Sequence, residues 1–151
     1  MPSCFSPRSF PQGWEATERF AADGLIRADI SKSEHMGLQI RLTDTAPGAF
    51  TSTAEAMAED YATDMATHYG GYCNETERLY PETGDEAITV RFDSEWDDGS
   101  RWYLQLSLVR KGAMLVIFQC GCPWEDRLEG KESFDLIVES IVFDEWTQRY
   151  R

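Results

Sequence analysis

Residues Ala113 to Cys120 read Ala-Met-Leu-Val-Ile-Phe-Gln-Cys, apolar at odd and even positions alike. Successive side chains of a strand point to opposite faces, so such a segment is stable only where both faces are covered. It therefore belongs in the middle of a sheet with a packing layer above and below. The preceding residues supply the neighbouring strands. Ile88, Val90, Phe92 and Trp96 share one face of an alternating run, and Asp97-Asp98-Gly99-Ser100 has hairpin-loop chemistry. Trp102, Leu104, Leu106 and Leu108 continue the alternation on the returning strand. Lys111-Gly112 then turns the chain into the apolar segment.

Upstream, Pro7, Pro11 and Gly13 mark an irregular lead-in to a short strand over Trp14 to Phe20. Asp23-Gly24 reads as a turn into a strand over Leu25 to Ile30. Its partner is Met36 to Thr43, where Leu38, Ile40 and Leu42 alternate with Gln39, Arg41 and Thr43. After the break at Pro47-Gly48, Ser52-Thr53-Ala54-Glu55 has capping-box spacing and predicts a helix start. Ala54, Met57, Ala58, Tyr61, Met65 and Tyr69 recur at helical spacing up to Gly70-Gly71. That stripe reads first as core packing, with a ligand-lining groove as the alternative. Cys73 to Tyr80 reads as a strand followed by punctuation at Pro81 and Gly84, Trp124 to Gly130 as a loop, and Glu132 to Ser140 as a second helix burying Phe134 and Ile137. Val142-Phe143 either extends as a strand or caps the core. The expected fold class is α+β: an antiparallel sheet of about six strands with helices packed on its faces. One domain over 1–151 is expected, with its core at about 10–143 and a tail from Asp144 carrying Trp146 and Tyr150.

Charge narrows the partners. The chain has 151 residues, with 27 acidic against 14 basic side chains and a formal net charge of -13. That field repels phosphate backbones and anionic headgroups, so nucleic acid and membrane insertion are not expected. The apolar run Ala113 to Phe118 is far short of the ~20 residues of a membrane-spanning helix. The first residues, Met1 to Arg8, carry no basic-then-apolar export pattern, which points to a cytoplasmic protein. The alternative is an exported accessory lipoprotein trimmed near Cys4. The four cysteines, Cys4, Cys73, Cys120 and Cys122, are too unevenly spaced for a disulfide scaffold.

Chemistry-bearing motifs are sparse. His35 falls in a polar connection and His68 in a last helical turn, neither beside a nucleophile motif. Gly70-Gly71 ends a helix rather than opening one after a strand, so no nucleotide cofactor is implied, and no cofactor of any other kind is expected. Cys120 and Cys122 point to one side of a strand, and Cys73 would be the third ligand of a soft metal site; small buried thiols are the alternative reading. Asp93, Glu95, Asp97 and Asp98 superficially have the look of a calcium loop, but Asp98 falls where the sharp turn needs glycine and Leu104 where a bidentate glutamate belongs. A solvated hairpin tip is the expected role.

The element order resembles a known family. Phe10-Pro11-x-Gly13-Trp14, a hairpin, one long helix, three antiparallel strands and a closing helix through Ser140-Ile141-Val142-Phe143 together resemble the PsbP-like α/β sandwich. That group includes photosystem extrinsic proteins, the Ran-binding protein Mog, DcrB-like lipoproteins and effector-associated chaperones of type VI secretion. The resemblance implies a six- or seven-stranded antiparallel sheet with helices on both sides and a binding rather than a catalytic role. Acidic character and lack of targeting fit the chaperone branch best.

If Leu38, Ile40, Val90, Phe92, Leu104 and Leu106 face the core, then Gln39, Arg41, Arg91, Tyr103 and Gln105 form the opposite face. Arg41, Arg91, Tyr103 and Gln105 are then the candidate contact residues of a non-enzymatic protein-binding, chaperone- or adaptor-like domain, with a secreted effector as one client. The competing view is that Arg41 and Arg91 merely pair with acids on adjacent strands, worth at most about 1 kcal/mol each. The remaining alternatives are a small-molecule or metal-binding enzyme built on Cys120 and Cys122, and a homodimer formed through Trp146, Tyr150 and the helix face.

Overall fold

A computed structural model describes residues 11–20, 26–46, 48–81 and 86–142, without the side chains of 16–20, 26–28 and 140–142. The expectations that rest on Cys4, Phe10, Asp23-Gly24, Pro47, Gly84, Phe143 and the tail with Trp146 and Tyr150 lie outside the described residues.

Seven strands form one antiparallel sheet. In chain order they are β1 (Glu15–Phe20), β2 (Ile26–Ser33), β3 (Met36–Asp44), β4 (Gly71–Leu79), β5 (Ala87–Trp96), β6 (Arg101–Lys111) and β7 (Met114–Pro123). Across the sheet the order is β1-β2-β3-β7-β6-β5-β4. The doubly apolar segment is therefore the central strand, with three strands on either side. Helix α1 (Phe50–Tyr69) packs on β4, β5 and β6, and α2 (Arg127–Val142) packs on β7 and β6.

The two helices lie on opposite faces, as the side-chain parity shows. Ile88, Val90, Phe92, Leu104, Leu106, Leu108, Leu115 and Ile117 pack with Phe50, Ala54, Ala58 and Tyr61 of α1. Ile30, Leu38, Ile40, Leu42, Val116, Phe118, Cys120 and Cys122 pack with Phe134 and Ile137 of α2. Phe134 is wholly buried, its ring 5.9 Å from Trp14 edge-on and 6.3 Å from Tyr103 in parallel. Here the structure corrects the sequence reading. Leu38 and Ile40 pair with Cys120 and Phe118, whereas Leu104 and Leu106 pair with Gly121 and Gln119. Directly paired residues share a face, so the two apolar sets expected on one face occupy opposite ones.

Both helix starts also differ from expectation. Helix α1 begins at Phe50, with Ala49 as N-cap and no side-chain cap. Burial of Phe50 against the sheet draws the helix start three residues upstream, leaving Ser52 inside the first turn, where its hydroxyl donates to the Ala49 carbonyl at 3.2 Å. Gly70 ends α1 as expected. Helix α2 begins at Arg127, directly after a 3-10 turn over Trp124–Asp126, so Gly130 is helical rather than part of a loop. A β-carbon there would sit 2.5 Å from Cys122 Sγ and 3.3 Å from the Phe134 ring. Glycine lets α2 lie directly on β7.

Replacing a mid-helix glycine by alanine ordinarily stabilises by about 0.5–1 kcal/mol. Gly130→Ala is expected to destabilise instead, by about 1–3 kcal/mol, because the methyl group overpacks the α2/β7 contact. Urea unfolding of Gly130→Ala, Cys122→Ala and the double variant checks this: removal of the sulfur should recover much of the loss.

Candidate binding trough and the buried network opposite

Each face of the sheet turns from apolar to polar part-way across, and the two polar regions lie on opposite sides. On the α2 face one row runs Ile30, Leu38, Cys120, Gln105, Arg91, Glu77. Gln105 and Arg91 are buried, and Glu77 at the end of the row is exposed. Arg91 Nη1 donates to Tyr103 Oη at 2.6 Å and to Gln105 Oε1 at 2.7 Å, and Nη2 donates to Asp135 Oδ2 at 3.0 Å. Tyr103 Oη donates to Gln105 Oε1 at 2.5 Å, and Gln105 Nε2 donates to Asp135 Oδ1 and Ser107 Oγ, both at 3.1 Å. Ser107 in turn meets Thr89 at 3.0 Å. Arg91 Nε lies 3.2 Å from Glu77 Oε2, an ion pair outside hydrogen-bond geometry.

Asp135 is the α2 member of this network, so the network fastens that helix to β5 and β6. Burial opposes the Arg91 charge, yet the Tyr103 hydroxyl and the Asp135 carboxylate outweigh it and its pKa is raised. Burial likewise pushes the Tyr103 phenol up, against the opposing pull of Arg91. Of the four residues read from the sequence as one contact surface, Arg91, Tyr103 and Gln105 come together but are buried, and Arg91 does pair with acids on β4 and α2. Arg41 is on the other face.

On the α1 face the polar rows stay open. Helix α1 covers β4 to β6, and beside it lies a hollow of about 700 Å³ over β2, β3 and β7. Gly37 and Gly121 face each other across β3 and β7, and the next row carries Asp29, Gln39 and Gln119, with Gln39 Nε2 donating to Asp29 Oδ1 at 3.4 Å. A second hollow of about 210 Å³ continues from it, lined by Arg41, Met57, Asp60 and Asp64. The two share Tyr61, Met65 and Gln119, which makes them one trough along α1. Arg41 Nε is buried and has no hydrogen-bond partner among the described residues. From Gly37 to Arg41 the floor runs about 14 Å, at about 3.4 Å per residue. The helical stripe therefore has two roles. Ala54 and Ala58 are core, Met57, Met65 and Tyr69 line the trough, and the buried Tyr61 does both.

An aromatic stack closes one end. Tyr69 stacks on Trp96 at 3.8 Å and Trp96 on Trp102 at 5.0 Å, and both indoles also line the trough. Their N–H groups donate to Ser94 Oγ at 2.6 Å and Ser100 Oγ at 3.0 Å. His35, on the β2–β3 turn, sits 6.0 Å from Trp102. The acidic hairpin is largely self-satisfied: Asp93 holds Arg101 through two bonds, Glu95 accepts from Tyr72 Oη at 2.6 Å, and Asp98 accepts from Ser100 N at 2.8 Å.

The thiols do not converge. Cys120 and Cys122 are buried on the α2 face as the spacing predicts, but Cys73 packs in the α1 layer. Among the described residues no group of three or more His, Cys, Asp or Glu is placed to hold a metal ion. Burial pushes the Cys73 thiol up to about 11, the Cys122 thiol up to about 12 and the Cys120 thiol well above its ordinary value. At neutral pH all three are protonated and weak as nucleophiles or ligands.

No family model and no curated protein matches the sequence. Solved structures do. The cyanobacterial PsbP protein CyanoP of Synechocystis sp. PCC 6803 is similar over 89% of this chain and 87% of its own, with a TM-score of 0.67 at 13% identity. A Pseudomonas aeruginosa protein of unknown function, PA94, is similar over 89% and 85%, with a TM-score of 0.56 at 11% identity. The Saccharomyces cerevisiae Ran-binding protein Mog1p covers 90% and 79%, with a TM-score of 0.47 at 12% identity. The fold is PsbP-like. On this PsbP-like frame the chain pairs a closed polar network with an open polar trough. No helix among the described residues is long and apolar enough to cross a membrane.

Two outcomes test this geometry. Asp135→Ala should cost about 1–2 kcal/mol, and a double-mutant cycle with Arg91→Met should give a coupling of about 1 kcal/mol, modest because Asp135 is partly solvated. For the thiols, a folded pKa above the unfolded value means that the unfolded chain loses its protons first as pH rises. Stability is then full below about pH 9 and falls as pH climbs through the values near 11 and 12. Thermal melts from pH 7 to 11 should show a declining midpoint above pH 9, blunted in Cys73→Ala and Cys122→Ala.

Proposed function

We propose that this protein is a non-enzymatic protein-binding domain, of chaperone or adaptor type, that takes a short extended segment of a partner chain in the trough beside α1. The observation that carries this reading is the uncovered part of the α1 face. There glycine, glutamine and arginine stand beside the exposed Tyr69 ring and the half-buried Trp96 and Trp102 rings, in a hollow that α1 leaves open. Gln39, Gln119 and Arg41 offer hydrogen bonds to an extended backbone, and Met65, Tyr69 and Trp102 offer apolar contact. A floor of about 14 Å accommodates roughly four extended residues.

Beyond this, the sequence-level idea of a secreted effector as client fits a segment with polar as well as apolar side chains. A purely apolar one would bury Asp60, Asp64 and Arg41 without partners.

The test is site-specific photo-cross-linking in the native host. A cross-linker at Gln119, inside the trough, should capture one partner, and one at Leu136, on the exposed side of α2, should not. Gln119→Trp should fill the trough and lower partner recovery at least tenfold while leaving the melting temperature within a few degrees. Equal capture from both positions, or unchanged recovery with Gln119→Trp, would argue against the trough.

A further inference from the structure

We infer that the segment taken by the trough is basic, and that a lysine or arginine side chain lies against the Trp102 ring at its aromatic end. This rests on the reading of the trough as a docking groove and adds the chemistry of its occupant.

Three observations converge. The lining is anionic: Asp29 and Glu34 border the larger hollow, Asp60 and Asp64 the smaller, and Arg41 is the one guanidinium among them. With a whole-chain charge of -13 behind it, the trough attracts a cation over a long range and disfavours an acidic segment. The second observation is the stack. Trp96 is stacked on both Tyr69 and Trp102, so Trp102, its indole N–H already satisfied by Ser100, is the end ring of the stack, and the face of tryptophan is the aromatic surface that best holds a cation. The molecule uses that interaction elsewhere: the guanidinium of Arg101 lies 3.9 Å from the ring centroid of Trp124, and that of Arg127 lies 4.7 Å from it. Among the described residues no cation occupies the corresponding place on Trp96 or Trp102.

The floor supplies the third. Gly37 and Gly121 are paired beside the stack, and a β-carbon on Gly121 would already lie 3.1 Å from Leu104 Cδ2. Glycine keeps both positions free of side chains of their own, so the aliphatic stem of a lysine or arginine can run over the pair, beside Ser31 and Leu104, and carry its charge towards Trp102 and Glu34.

The experiment is an NMR titration of the isotope-labelled full chain with three ten-residue peptides, (Lys-Gly)5, (Glu-Gly)5 and (Ser-Gly)5. The expected result is saturable shifts from the lysine peptide alone, concentrated at the indole N–H of Trp102 and the amides of Gly37 and Gly121. Affinity should fall at least fivefold between 50 and 500 mM NaCl. Trp102→Leu should weaken binding at least tenfold and Glu34→Gln about threefold. Trp102→Phe, which keeps a ring in the stack, should retain most of it and guards against a folding artefact. Shifts spread over the acidic surface and indifferent to Trp102→Leu would overturn the inference. So would equal binding of the serine or glutamate peptide at the trough amides, which would leave the groove standing with another client. Should no peptide perturb those amides while Gln119→Trp still recovers the native partner, both readings fall.

Discussion

A helix is too narrow to cover a seven-stranded sheet. Six interstrand spacings of about 4.8 Å separate the outer strands by about 29 Å, whereas a helix with its side chains is about 10 Å wide. With one long helix on each face, most of each face must find another solution, and the placement of α1 and α2 decides which strands are sealed. β7, at the centre, supplies apolar residues to both layers, whereas β6 is apolar towards α1 and turns Tyr103, Gln105 and Ser107 towards α2. Helix α1 is displaced from that centre over β4 to β6, whereas α2 stays over β7 and β6, and the open part of the α1 face follows from that displacement.

The consequence is two polar regions with contrasting fates. Arg91, Tyr103 and Gln105 lie where the α2 layer meets β5 and β6, and there Asp135 descends from the helix to complete their hydrogen bonds. A buried guanidinium is tolerated because donors and acceptors are almost fully matched; removing one partner would leave the others desolvated and unpaired. Gln39, Gln119 and Arg41 lie where no described helix reaches. Their polar atoms keep access to solvent, apart from the orphaned Arg41 Nε. The same residue types thus build a rigid fastening on one face and an accessible groove on the other.

Much of this frame was legible in the residues. The double apolar face of Ala113 to Cys120, the Asp97 to Ser100 hairpin, the helix stop at Gly70 and the strand positions all depend on local chemistry, and local chemistry can be read in order along a chain. Register between distant strands cannot. The pairing of Leu38 with Cys120 spans 82 residues of sequence (120 − 38), and parity alone assigns Leu38 and Ile40 to the α2 side. The four candidate residues are split by one step of parity, with Arg41 on one face and three on the other. Asp135 escaped notice because it meets Arg91 only after α2 docks, 44 positions away. Gly130 looked like a loop residue because its helical role depends on the sulfur of Cys122 beneath it. The trough was invisible for the same reason: it is defined by where α1 stops covering the sheet.

An open sheet face and an unpaired edge normally invite self-association, and the way this chain answers that hazard bears on what can occupy the trough. Edge strand β4 carries Glu75, Glu77 and Arg78, with an irregularity in register between Glu75 and Glu77. Charges and bulges of this kind discourage a second strand from adding to the edge. The trough carries four carboxylates, and every copy of the chain brings a net charge of -13. Two copies approaching through this face repel one another at low ionic strength, within a Debye length of about 10 Å at 0.1 M salt. A cationic segment reverses the sign of that interaction. On the proposed reading, the charge that opposes the approach of a second copy is also the charge that favours a cationic client.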